Sequence, residues 1–139
     1  MIRQADLARE TGLSEMTISR RLRALDSVGK PLAEIDILSV LVSHEAETAG
    51  LHGHEAAKIL SEFSSELRWL TAGSSRKVWL VLGSSKDANF TAAAMTQAHL
   101  DSLVSAFPRA QVLPLHALLQ RARQRYASMT KHLNRREAA

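Results

Sequence analysis

Three arginines stand close to a run of short polar side chains near the start of the chain: Ser14, Glu15, Met16, Thr17, Ser19, Arg20, Arg21 and Arg23. A guanidinium presents a planar fork of N–H donors that matches the acceptor edge of a guanine or the oxygens of a phosphate. The hydroxyls and the carboxylate add shorter hydrogen-bonding groups, and Met16 adds an apolar contact. Such a set is equipped to recognise a surface, not to make or break a covalent bond.

Two other groupings have the residue types for chemistry but not the spacing. His44, His52, His54 and Glu55 offer imidazoles that zinc or nickel would accept. A His-x-His pair with one remote histidine matches no metal signature, so His52 and His54 are expected to be solvated in a turn around Gly53 and no metal site is assigned. Gly83-Ser84-Ser85-Lys86 follows an apolar run, as a phosphate-binding loop would, but lacks the pattern Gly-x-x-x-x-Gly-Lys-Ser/Thr and a later magnesium-binding acid. It reads as a connection. There is no nucleophile beside a base and no carboxylate pair at catalytic spacing, so no catalytic residue and no cofactor are expected, and the chain is not expected to be an enzyme.

The arginine-rich segment needs elements to present it. Residues Arg3 to Glu10 read as a helix with Leu7 and Ala8 inward. Thr11-Gly12-Leu13-Ser14 then turns the chain, with Gly12 where a positive φ is cheap only for glycine. Ser14 is a good N-cap for the next helix. There Ile18, Leu22 and Leu25 recur at spacings of four and three, which makes one apolar face. This segment, Ile2 to Leu25, resembles the helix-turn-helix of bacterial and phage regulators, as in the MerR and LacI families. The matching residues are Leu7-Ala8, Thr11-Gly12-Leu13-Ser14 and Thr17-Ile18-Ser19-Arg20.

The resemblance implies that the second helix enters the major groove of DNA. Glu15, Met16, Thr17 and Arg20 are then the candidates for base edges, with Ser14 at the cap. Ser19, Arg21 and Arg23 are the candidates for phosphates, which position the protein without specifying sequence. Arg21 departs from the pattern, since such helices often carry an apolar residue there. The Tyr-Tyr pair and basic wing of MerR proteins are also missing, and Asp26 to Lys30 would form a short wing at most.

The 139 residues are 45% hydrophobic but only 4% aromatic, so the core must be built from Leu, Val, Ile and Ala. The absence of cysteine excludes disulfides and thiolate metal sites and suits a reducing compartment. No apolar run reaches membrane-spanning length, and charged residues interrupt any signal-peptide pattern, so a cytoplasmic location away from membranes is expected. The net charge of +4 is unevenly spread. Residues 1–30 hold six Lys/Arg against four Asp/Glu, residues 31–75 two against seven, and residues 76–139 ten against three. A polyanion would meet the two basic ends.

The fold class expected is mainly α with a small α/β part. Three units are expected: 1–30, a helix-turn-helix DNA-reading unit; 31–72, a helical buttress; and 73–139, a small α/β and basic-helix unit for oligomerisation or partner binding. In the middle, Leu32 to Ala49 reads as a buried helix, although Ile37 to Val42 alone would also suit a strand. Glu55 to Leu70 reads as one amphipathic helix. Further on, Val78 to Leu82 reads as a strand and Thr91 to Phe107 as a helix with Met95, Leu100, Leu103, Val104 and Phe107 inward. Gln111 to Pro114 reads as a second strand, giving a β-α-β unit with parallel pairing. Leu115 to Leu133 reads as a helix whose Leu115, Leu118, Leu119, Ala122, Tyr126, Met129 and Leu133 form a near-heptad seam suited to a dimer. Fraying is expected from Asn134 on.

Together these features suggest a sequence-specific, double-stranded-DNA-binding transcriptional regulator that acts as a homodimer at a promoter or operator, with a possible protein partner at the C-terminal half. The alternatives are a phage DNA-packaging recognition subunit, which would form rings, and a protein-interaction module.

Overall fold

Seven successive residues, Ile37 to Ser43, are buried. A helix buried on every side belongs at the centre of a helical layer, and α3 (Glu34–Thr48) occupies that position. A computed structural model describes residues 1–27, 31–73, 75–84 and 89–138. Among these residues are seven helices and one three-stranded sheet, so the protein is mainly α with a small α/β part. Helix α3 contacts α1 (Gln4–Thr11), α2 (Glu15–Ala24), α4 (Gly53–Glu62), α5 (Ser64–Thr71) and α7 (Leu115–Ala138). Its two buried serines return their hydroxyls to its own backbone. Ser39 donates to Ile35 O at 2.6 Å and Ser43 to Val40 O at 2.6 Å, so neither donor is stranded.

The apolar run of the middle segment is therefore helix, with no strand at Ile37 to Val42. A carboxylate starts it: Asp36 accepts the Ala33 N–H at 3.0 Å, at the helix end where negative charge is favoured. The stretch expected as one helix from Glu55 to Leu70 is two, broken at Phe63, which has φ −106° and ψ 31°. Leu60 and Leu67 stand on either side of the break, and both are buried in the core.

The sheet differs more from expectation. Strand β1 (Trp79–Ser84) is central, between β2 (Asn89–Ala94) and β3 (Gln111–Pro114), and both pairings are antiparallel. The parallel β-α-β unit is not formed. Residues Thr91 to Ala94, expected in a helix, lie in β2, and the helix that follows, α6 (Gln97–Ala106), is shorter. The cause is tertiary. Leu80 and Val81 bury opposite faces of β1, and a strand buried on both faces needs a partner at each edge. Pairing overrides the helix propensity of the alanines in β2. On one face Leu80 and Leu113 join the helical core. On the other, Val81 and Ala94 pack with Leu100 of α6. Met95 and Val104 point outward instead of inward, at 43% and 39% exposure.

The near-heptad seam of α7 is also explained within the chain. Leu115, Leu118, Leu119, Ala122 and Met129 are buried against the chain's own core, with Tyr126 and Leu133 packed at its margin. This corrects the expectation of a dimer seam, because these side chains are already covered. The helix continues past Asn134 to Ala138. One apolar cluster draws on all three expected units, from Ile2, Leu7 and Ile18 through Leu41 and Leu67 to Leu80 and Leu118.

Candidate nucleic-acid interface

The turn between α1 and α2 is built by four residues. Thr11 donates its hydroxyl to Leu7 O at 2.7 Å and accepts the Leu13 N–H at 3.3 Å. Gly12 takes φ +76°, and its N–H donates to Ala8 O at 2.9 Å, which closes α1 with a left-handed residue. Ser14 is extended and accepts the Thr17 N–H on its side chain at 3.1 Å, with the two hydroxyls 2.9 Å apart. These local bonds fix where α2 begins and how it is rotated.

That rotation sorts the eight candidate residues. Ile18, Leu22 and Arg21 face inward and are 0%, 3% and 5% exposed. Ser14, Glu15, Met16, Arg20 and Arg23 are exposed, while Thr17 and Ser19 are half-buried at the flanks. Met16 shows 64% of its surface, much for an apolar side chain with no covering element. The outward face thus brings together a carboxylate, a thioether and two guanidiniums on about two turns of helix.

Arg21 is not available to a phosphate. Its guanidinium is turned into the protein, where Nη2 lies 2.7 Å from Glu47 Oε2 and Nη1 donates to Ser43 Oγ at 3.2 Å. The Nη2 N–H bonds do not aim at the carboxylate oxygen, which receives no directed hydrogen bond, so the contact is a close Coulombic pair. The position is apolar by geometry, three residues after Ile18, and a paired arginine fills it. The two partners sit one turn apart on α3, a spacing that alone does not reveal a link to α2.

The C-terminal arginines divide in the same way. Arg125 is a hub: Nε donates to Glu10 Oε1 at 2.9 Å, Nη1 to Glu45 Oε1 at 3.0 Å and to His44 Nδ1 at 3.0 Å, and Nη2 to the Glu10 carbonyl at 3.2 Å. Arg123 donates to the carbonyls of Thr71 at 2.7 Å and Leu70 at 3.4 Å, at the open end of α5. Arg121 is 4.0 Å from Glu45. Lys131, Arg135 and Arg136 are exposed on the last turns of α7. Part of the acidic middle therefore serves internal pairing, with Glu45 and Glu47 of α3 taking arginines from the two basic ends.

His44 sits in α3, within the helix expected there, and its pKa is held below the ordinary 6.5. Burial is the larger cause and the Arg125 charge the next. The Arg125 N–H donated to Nδ1 requires that nitrogen to be unprotonated. His52 and His54 are exposed near the start of α4. Among the described residues, no group of three or more His, Cys, Asp or Glu is arranged to hold a metal ion. Gly83 and Ser84 belong to β1, while Ser85 and Lys86 of the loop-like motif lie outside the described residues. Gly83 has a packing reason, since a Cβ there would collide with the Phe90 ring. Of the segment read as a short wing, Val28 to Lys30 also lie outside the described residues. Among the described residues, no helix is long and apolar enough to cross a membrane.

No protein-family model matches the chain, and no curated protein sequence matches it either.

Proposed function

We propose that this protein is a cytoplasmic, sequence-specific regulator of transcription that reads double-stranded DNA through α2 and acts as a homodimer. One observation carries the reading. A capped, rigidly seated helix turns Glu15, Met16, Arg20 and Arg23 outward while its other face is locked by Ile18, Leu22 and the Arg21–Glu47 pair. A reader helix needs this combination of a fixed base and a free polar face. Arg20 and Glu15 supply donors and an acceptor for base edges, and Arg23 a phosphate contact. No catalytic step is assigned to the protein; regulation follows from occupancy of the site.

A single short helix makes few base contacts, so two copies on a two-fold axis would double them and read a palindrome. Selection from random duplex DNA at near-physiological salt tests the proposal. It predicts recovery of a palindromic motif, and recovery of unrelated sequences would contradict it.

A further inference from the structure

Helix α4 turns Glu55, Lys58, Ile59 and Glu62 to one face, at the spacing of three and four that keeps side chains together. Between that face and the sheet lies an open cleft of about 510 Å³, floored by Leu51, Ile59 and Leu82 and rimmed on the sheet side by Thr91 and Gln111. Its size and mixed lining suit a small molecule. A groove of about 560 Å³ on α7 is different in kind: every residue lining it belongs to that one helix, so it has no opposing wall. In the cavity, Thr91 Oγ1 donates to Glu62 Oε2 at 3.3 Å. Lys58 and Glu55 make no ion pair among the described residues. An apolar floor thus lies beneath one uncommitted ammonium flanked by two carboxylates.

We propose that this cavity binds a small zwitterion with an apolar side chain, of the α-amino-acid type. Its ammonium meets the carboxylates of Glu55 and Glu62, its carboxylate meets Lys58, and its side chain covers Leu51, Ile59 and Leu82. A ligand with only one charge leaves an opposite charge on α4 unanswered. The site is joined to the candidate reader. The first turn of the same helix, at Gly53, closes on the Arg21–Glu47 pair so tightly that a Cβ there would collide with both side chains. A shift of α4 on binding therefore moves the seat of α2. This consequence for DNA, unlike binding itself, rests on the function proposed above.

Isothermal titration of the full chain with L-phenylalanine, 2-phenylethylamine and 3-phenylpropionate tests the site without DNA. Saturable binding of L-phenylalanine is expected, with each single-charge analogue weaker by about tenfold or more. Lys58→Met should erase the advantage of L-phenylalanine over the amine, and Glu62→Gln its advantage over the acid. Ile59→Trp, which fills the cavity, should abolish binding, with circular dichroism confirming the fold. Glu55→Gln, on the exposed rim, weakens binding even if the tryptophan variant fails to fold. Absence of saturable L-phenylalanine binding, or binding unchanged in Lys58→Met and Glu62→Gln, overturns the proposal. Neither result bears on whether α2 reads DNA. With the site confirmed, L-phenylalanine that left affinity for a selected duplex unchanged would overturn the coupling alone.

Discussion

Arg21 and Glu47 meet at 2.7 Å under the first turn of α4, and Gly53 is the residue that leaves room for them. The pair ties the arginine-rich helix to the central helix, and its weight should be visible in stability. Arg21→Ala leaves a carboxylate that is three-quarters buried without its cation. The expected loss is about 2–4 kcal/mol. Replacing both partners, by Arg21→Met with Glu47→Leu, should come within about 1 kcal/mol of the parent, because no charge is then stranded. Urea unfolding midpoints measure both. A single-variant loss below about 0.5 kcal/mol would mean that solvent screens the pair as it does on a surface.

Gly53 gives a prediction of unusual sign. A glycine in the first turn of a helix usually gains about 0.5–1 kcal/mol on change to alanine. Here the new methyl group would collide with Arg21 Nη2 and Glu47 Oε1, and neither can swing into solvent without breaking the pair. Gly53→Ala is expected to destabilise by about 1–3 kcal/mol, as overpacking does. In an Arg21→Met, Glu47→Leu background the penalty should change, since the crowded polar atoms are gone. Equal effects in both backgrounds would place the clash elsewhere.

His44 makes stability depend on pH. Its pKa in the folded protein lies below 6.5, through burial first and the Arg125 charge second. The unfolded chain therefore takes up the proton first as pH falls. Stability from this group is complete above about 6.5, declines as pH drops toward the folded value, and is wholly lost below it. Protonation also removes the acceptor for the Arg125 N–H. His44→Gln should flatten the stability profile in that window, as read from thermal midpoints between neutral and mildly acidic pH. A parallel profile in the variant would assign the dependence to another group.

Arg123 and Arg20 should separate stability from recognition. Arg123 closes the end of α5 through the Thr71 and Leu70 carbonyls. Arg123→Ala is expected to cost about 1 kcal/mol of stability and to leave the salt dependence of DNA binding unchanged. Arg20 is exposed, so Arg20→Ala should leave stability alone and lose about 1–3 kcal/mol on the correct site while relaxing preference there. Fluorescence anisotropy at two salt concentrations, beside thermal melts, distinguishes the two. A flatter salt slope in Arg123→Ala would mean that this side chain reaches a phosphate.

What could be read in advance divides by the distance between partners. The α1–turn–α2 unit was legible because its determinants are local: Gly12 closes one helix and Ser14 opens the next within three residues. The strands at β1 and β3 were legible from apolar density, whereas the dense run Ile37 to Val42 of α3 suited a strand as well and read as helix only within the longer segment to Ala49. Arg21 was not, because its partners Ser43 and Glu47 come from another helix, and an arginine on an apolar face is ambiguous until they are seen. The α7 seam was legible as a pattern but not in its partner, since a periodicity of seven does not say whether the covering helix belongs to the same chain. Strand β2 was hidden because its alanines favour a helix, and only the open edge of β1 calls them into the sheet. The charge segregation was plain, yet part of it serves α3, where Glu45 and Glu47 gather arginines from both ends of the chain.

Amide chemical shifts of the labelled full chain, titrated with duplex DNA, map the DNA onto the protein. If α2 is the reader, the largest shifts fall from Ser14 to Arg23, and Arg20→Ala reduces them. Shifts confined to the Lys131–Arg136 end of α7, with α2 silent, would contradict the account.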